Sequence, residues 1–296
     1  MNYTGEQYTR TLWFSEGVTS SAADLIEVRA GLTDGQHLLA HLSAEIAALQ
    51  SRSARLSQSA EESSLDTWLD SYPAYRRADR SISYYDKGEL LGFLIDLEMR
   101  RLTGGRRCLR DLFQYMNQHY AKQGKYFDDS EGVRQSLEVL TGNDYRDFFA
   151  RYVSGVDEIP YDQFFGYVGL RLEYRQLEQV YTGFTASRPT GKPLTITRVD
   201  DNSAAARLNL LPGDVIVKVN GKALSEEWNQ FLQKRNPKSR LHLTVSTAGG
   251  GLREVELPLG TRKIDTYQFV DLPEISAEMR TRRTAFLRGE SEAGAQ

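Results

Sequence analysis

The sequence predicts an α+β protein in two parts, an all-helical first half followed by a small, partly open β-barrel. Three observations carry this. Up to about residue 153, apolar residues recur at helical spacing in one segment after another, with no convincing strand pattern between them. Beyond Ser154-Gly155 apolar and polar residues alternate over short runs, as in Leu170-Arg171-Leu172-Glu173-Tyr174. Tight-turn signals then appear at Asn220-Gly221 and Gly249-Gly250-Gly251. The expected bounds are 1–158 for the helical part, 163–262 for the barrel and 263–296 for a charged tail.

The first helical segment runs from about Glu6 to Gly31. Leu12, Thr19, Ala23, Ile26 and Ala30 form its expected core stripe, with Glu16 in the middle of it. A buried carboxylate needs a cation, a strong donor or a metal. Gly17 beside it leaves room for another backbone or an ion. Thr33-Asp34-Gly35 starts a second helix carrying Leu38, Leu39, Leu42, Ile46 and Leu49. Ser51 to Ser64 reads as an irregular loop. A short helix over Leu65, Trp68 and Leu69 is expected to stop at Tyr72-Pro73.

After Ser81 to Gly88 comes a helix with Leu90, Phe93, Leu94 and Leu97 as its core stripe, closed by Thr103-Gly104-Gly105. Gly88 and Gly92 share a face with Tyr85, so a neighbouring element can come close to the tyrosine ring. Leu109, Leu112, Phe113, Met116 and Tyr120 mark the next helix, and Asp128-Asp129-Ser130 offers N-caps for another that stops at Thr141-Gly142. A last short helix, Asp144 to Val153, carries Phe148, Phe149 and Tyr152. In the second half the expected strands are Leu170 to Tyr174, Leu194 to Val199, Asp214 to Val219, Leu241 to Ser246 and Arg253 to Leu257, with helices at Ser203 to Leu208 and Ser225 to Lys234. The tail should end in a charged helix, Ala277 to Arg288, and an unstructured Gly289 to Gln296.

A net charge of -3 gives no concentrated basic field for nucleic acid or an anionic membrane. No apolar run reaches the ~20 residues of a membrane span, and the N-terminus lacks the features of a secretory signal. These features imply a soluble protein, cytoplasmic by default or periplasmic in a longer precursor. The single cysteine, Cys108, excludes an internal disulfide framework and a multi-cysteine metal site.

The segment Asn202-Ser203-Ala204-Ala205-Ala206-Arg207-Leu208-Asn209-Leu210-Leu211-Pro212-Gly213-Asp214-Val215-Ile216-Val217-Lys218-Val219-Asn220-Gly221 resembles the central motif of PDZ domains, with Asn209 at the usual glycine. The resemblance implies a groove for the C-terminus of a peptide or protein. Gly166, Tyr167, Val168, Gly169 and Leu170 look like its carboxylate-binding loop, the strand Leu170 to Tyr174 would pair with the ligand, and Ser225 to Lys234 would form the other wall. The alternative is a packing module whose groove holds the chain's own tail.

Four further segments occur in order: Tyr8 to Gly17, Gln58 to Asp66, Ser81 to Gly88 and Phe148 to Gly155. Together they resemble the C-terminal part of glycyl aminopeptidase-like zinc metallopeptidases, relatives of the aminopeptidase N group that carry a C-terminal PDZ domain. The resemblance implies the C-terminal lobe of a thermolysin-like catalytic domain and metal-dependent peptide hydrolysis. In Trp13-Phe14-Ser15-Glu16-Gly17, Glu16 matches the third zinc ligand. In Tyr85-Asp86-Lys87-Gly88, Tyr85 matches the tyrosine that donates to the oxyanion.

The sequence departs from that family in one decisive respect: it contains no HExxH. Its histidines are His37, His41, His119 and His242. His37 and His41 are four apart, but Leu38 stands where the catalytic glutamate would, and solvated surface histidines are the simpler expectation. Ser21 and Ala22 replace frequent aromatics. The chain is therefore expected to be part of a longer peptidase, inactive by itself and holding no zinc tightly. The second reading is a non-catalytic PDZ binding module. Self-association through an uncovered apolar face, a homo-oligomer, is a further expectation.

Overall fold

The computed structural model describes residues 4–69, 77–247 and 249–292. The expected stop at Tyr72-Pro73 and residues 293–296 of the tail lie outside them. The chain divides into two compact units, Met1–Arg175 with Thr266–Gln296, and Gln176–Asp265.

The first unit is helical. A π-helical turn, Trp13–Val18, runs into α1, Thr19–Ala30. α2 is Gly35–Gln50, capped by the Asp34 carboxylate, which accepts from the His37 backbone N–H. α3, Ala60–Leu65, falls where an irregular loop is expected. Ser59 and Glu62 form a complete capping box there, and that local signal outweighs the weak apolar pattern. A 3-10 turn, Asp66–Trp68, follows in place of the expected short helix.

α4, Tyr84–Thr103, is the centre of the unit and is buried on nearly every side. Ser83 caps its start by accepting from the Asp86 N–H, and Gly104 closes it with φ of 60°. Deep in the core Arg100 pairs with Asp96 at 2.6 Å, both side chains fully buried. The Leu109 N–H donates to Asp96 and Arg100 donates to the Glu290 carbonyl, so neither charge is left unsatisfied. α5, Leu109–His119, and α6, Asp129–Thr141, follow, then α7, Arg146–Phe148, a second π-helical turn, Phe149–Val153, and α8, Tyr161–Phe165.

The segment Gly166 to Leu170 corrects an expectation. Gly166–Val168 is a 3-10 turn of the helical unit, and Val168 and Leu170 lie in that unit's hydrophobic core. The Arg283 guanidinium donates to the carbonyls of Val168 and Gly169, at 3.0 and 2.7 Å. Gly169 is packed against Ile275 and Met279. Tyr167 donates to Glu292 at 2.8 Å beneath the Arg282 guanidinium. Packed into the helical unit in this way, and leading into a strand that pairs outside the five-stranded sheet, the segment does not stand at that sheet's edge as a carboxylate-binding loop would.

The tail is likewise not a free appendage. α11, Ala277–Leu287, buries Phe286 against Phe93 and Phe165 in the first unit's core. The chain leaves this unit in β1, Leu170–Tyr181, and returns in β7, Gly260–Asp271, and these two strands pair with each other. The expected strand Leu170 to Tyr174 is thus the start of a longer ribbon strand and does not join the PDZ sheet.

The second unit is built on an open five-stranded sheet in the order β2-β3-β4-β5-β6. The strands are β2, Phe184–Ser187, β3, Thr195–Val199, β4, Val215–Val219, β5, Arg240–Ser246, and β6, Leu252–Pro258. All but β2 match expected strands to within a residue at each end. Two short helices, α9, Ala204–Arg207, and α10, Trp228–Gln233, complete the unit. Its own core contains Phe184, Ile196, Ile216, Trp228, Leu243 and Leu257. The sheet stays open, with β2 and β6 as its edges.

Candidate functional site

Glycines set the geometry of the first candidate site. The π-helical turn and the start of α4 approach so closely that a Cβ on Gly17 would lie 2.6 Å from Gly88 Cα, and one on Gly88 would lie 2.2 Å from the Trp13 carbonyl oxygen. One turn further on, a Cβ on Gly92 would meet Ser21 Oγ at 2.0 Å. Ser21 uses that space to donate to the Glu89 carbonyl at 2.9 Å, which joins α1 to α4. The Gly17, Gly88 and Gly92 positions, read from the sequence as openings for a neighbour, are each filled by the other helix.

This backbone contact places Glu16 beside Tyr85, with the phenol facing the Glu16 carboxylate. Both side chains are half-buried. Burial first, then the hydrogen bond to Glu16, raises the Tyr85 phenol above its ordinary value, so it is neutral and available as a donor. Tyr84 stacks on Tyr85 with ring centres 4.7 Å apart. Lys87 turns the other way. It is buried and its Nζ donates to the Gly155 carbonyl at 3.4 Å, and burial depresses it to about 8.

The four peptidase-like segments meet around this pair. The Trp13 N–H donates to Ser64 Oγ at 2.9 Å, Ser63 Oγ donates to the Ile82 carbonyl at 2.8 Å, and the Ile82 N–H donates to Gln58. Trp13 and Phe149 are in edge contact at 6.0 Å. Segments far apart in sequence are thus mutually supporting walls of one site.

The expected stripe on α1 needs correction. Thr19, Ala23, Ile26 and Ala30 are exposed, Ile26 by 51%, whereas Trp13, Phe14, Gly17, Val18, Ser21 and Leu25 are buried. The core lies well over a third of a turn away, on nearly the opposite side of the helix, because the glycine and serine positions let α4 approach that side. Glu16 therefore sits at the border of an exposed, weakly apolar face. An apolar groove of about 560 Å³ runs along this face between α1 and α5, lined by Leu25, Ile26, Leu109 and Phe113 among others.

A catalytic zinc site needs about three protein ligands, and among the described residues one candidate, Glu16, lies beside the Tyr85 hydroxyl. The histidines are engaged elsewhere. His37 Nδ1 is 2.9 Å from Asp34, His41 Nε2 is 2.7 Å from Glu89, His119 Nδ1 is 2.9 Å from the Tyr115 carbonyl, and His242 lies in β5 of the second unit. The residues present do not by themselves fit a zinc centre at Glu16.

The second candidate site lies at the free edge of β2. Gly183, with φ of 80°, precedes the strand, and its carbonyl accepts from the Asp200 N–H at 2.9 Å and from Ser203 Oγ at 3.2 Å. A Cβ there would come within 2.6 Å of Ser203 Cβ, so glycine is required. Thr182 Oγ1 donates to the Phe184 carbonyl, and Tyr181 donates to Asp200 at 2.8 Å. Phe184 stacks on Trp228 of α10, with ring centres 5.5 Å apart. Sequence reasoning passed over Tyr181-Thr182-Gly183-Phe184. The available signal was a glycine-aromatic pair about twenty residues before Ser203, at the start of a short run leading to a turn.

Comparison with known proteins agrees with both resemblances. Residues 1–91 match the M61 glycyl aminopeptidase family, and residues 170–246 match the PDZ domain family. No curated protein matches the chain. Among solved structures, an aminopeptidase N family protein from Idiomarina loihiensis superposes with a TM-score of 0.69 at 19% identity, over 97% of this chain and 50% of that one. The chain thus spans about half the length of that protein, and the likeness is one of fold. A PDZ domain protein from Parabacteroides distasonis aligns over 29% of this chain and 21% of its own, with a TM-score of 0.26 and 18% identity. The HtrA3 PDZ domain bound to a phage-derived ligand aligns over 31% of this chain and 93% of its own, with a TM-score of 0.23 and 18% identity. No helix among the described residues is long and apolar enough to cross a membrane.

Proposed function

We propose that this chain is the C-terminal portion of a metal-dependent peptidase of the glycyl aminopeptidase type, joined to a peptide-binding PDZ unit. The carrying observation is the contact between Glu16 and Tyr85 across the Gly17–Gly88 crossing. In this reading Glu16 would offer one ligand to a zinc ion, which would supply Lewis-acid chemistry if a further segment brought the remaining ligands and the base. Tyr85, neutral and held at the site, donates to the oxyanion of the scissile carbonyl. A preorganised donor of this kind is worth roughly 3 kcal/mol of barrier. The apolar groove along α1, which begins at Thr19, three residues beyond Glu16, offers room for the completing segment. With one ligand, no HExxH and no base, the chain is inactive by itself.

The second unit is proposed to bind extended C-termini by strand addition at β2, with α10 as the other wall. The free edge of β2 in the sheet order favours this reading. The Tyr181-Thr182-Gly183-Phe184 segment then takes the carboxylate-binding role first expected at Gly166 to Leu170.

The test pairs two measurements on the full chain: calorimetric titration with peptides bearing free or amidated C-termini, and a cleavage assay on the same peptides with added zinc. The expected result is binding that requires the free carboxylate, with no cleavage. Cleavage abolished by Glu16→Gln would overturn the proposed inactivity, and binding indifferent to amidation would overturn the groove assignment.

A further inference from the structure

Three ligand-type side chains from three helices converge one turn beyond Tyr85. Asp24 of α1, His41 of α2 and Glu89 of α4 each present one ligand atom within 4.8 Å of the others. His41 Nε2 lies 2.7 Å from Glu89 Oε1 and 3.7 Å from Asp24 Oδ2. Asp24 Oδ2 is closed off from solvent and has no hydrogen-bond partner. The Glu89 side chain is 11% exposed and that of His41 44%, so the cluster is walled on one side and open to water on the other. Burial, then the Asp24 carboxylate, pushes Glu89 up to about 8, because two acids share a pocket with one imidazole.

We propose that Asp24, His41 and Glu89 form a binding site for one divalent transition-metal ion of zinc's class, with water in the remaining coordination position. The donor set selects the metal. Carboxylates alone would suit magnesium or calcium, whereas an imidazole nitrogen beside them shifts the preference to zinc and its neighbours. Metal–ligand bonds of about 2.0–2.2 Å place ligand atoms roughly 3–3.5 Å apart. The observed separations of 2.7 and 3.7 Å bracket that spacing, and all three ligand atoms lie within 4.8 Å of one another, so side-chain rotations alone can bring them to it. A cation there also provides Asp24 Oδ2 with the partner it lacks.

The elements that hold the ligands are rigid. Ser21 fastens α1 to the Glu89 carbonyl, and Asp34 caps the helix that carries His41. The site is distinct from the Glu16–Tyr85 pair, since Asp24 follows Glu16 by eight residues, roughly 12 Å of helical rise. It does not rest on the peptidase reading.

The experiment is equilibrium dialysis of the chelator-treated full chain against zinc, with metal content measured by mass spectrometry, repeated with cobalt to record the ligand-field spectrum. The expected result is one ion per chain, with affinity weakened about tenfold or more in both His41→Ala and Asp24→Asn and unchanged in His37→Ala. Circular dichroism and thermal melts establish that the variants fold, and half-exposed His41 tolerates truncation. Absence of bound metal in the unsubstituted chain, binding unaffected by both substitutions, or loss in His37→Ala alone would each overturn the assignment.

Discussion

Tyr85 and Glu16 face each other across a helix crossing that only glycine permits. An acid and a phenol separated by nearly seventy residues are thereby held in one half-buried site. Neither helix could present its polar residue to the other if Gly17 or Gly88 carried a side chain.

Gly88→Ala is expected to destabilise the helical unit by roughly 1–3 kcal/mol, because the added methyl would sit 2.2 Å from the rigid Trp13 carbonyl oxygen. Urea denaturation measures this. Stability equal to that of the unsubstituted chain would mean that the crossing has room for a methyl group.

The buried ion pair gives a sharper contrast. Asp96→Ala leaves Arg100 charged in the core and strips the Leu109 N–H of its acceptor, at an expected cost of about 3–5 kcal/mol. The paired replacement Asp96→Leu with Arg100→Met is expected to cost less than the single substitution. Denaturation of the three variants forms the comparison, and a double variant worse than Asp96→Ala would contradict it.

Cys108 is fully buried, and burial, then the Asp96 carboxylate, pushes its thiol up to about 11 from an ordinary 9.0. The folded protein keeps the proton where the unfolded chain releases it. This thiol's contribution is therefore fully present below about pH 9 and is lost as pH rises towards 11, a change on the order of 2–3 kcal/mol. Cys108→Ala should flatten that part of the stability profile. At pH 8 the native thiol should also resist iodoacetamide and react on unfolding; rapid native labelling would show the site to be open.

Phe286 anchors the tail in the core of the helical unit, fully buried. Phe286→Ala is expected to cost roughly 3–5 kcal/mol. Limited proteolysis should then release the C-terminal helix first. An unchanged digestion pattern would mean that the Arg283 contacts alone hold the tail.

Much of this was legible in the sequence because it is local. Cap residues and periodicity located α2, α4, α5 and α6, and alternation with turn residues located four of the five strands in the PDZ sheet. The motifs around Glu16-Gly17 and Tyr85-Asp86-Lys87-Gly88 named the two residues that the structure brings together. The glycines beside them marked the close approach, since removing a Cβ is the plainest sequence record of a neighbouring backbone.

Other features were decided only by tertiary packing, and for one physical reason: a pattern gives a period but not the partner that covers it. Thr19, Ala23 and Ile26 match a core stripe in period, yet α4 docks on the Gly17–Ser21 side and leaves them exposed. Gly166 to Leu170 has the glycine spacing of an anion-binding loop, but Arg283 and the tail helix occupy its carbonyls and faces. His41 looks like a surface histidine until α1 and α4 bring Asp24 and Glu89 to it. The sequence by itself marked Glu16 and Tyr85 as candidates and located most of the elements; folding decided which faces close and which distant side chains meet.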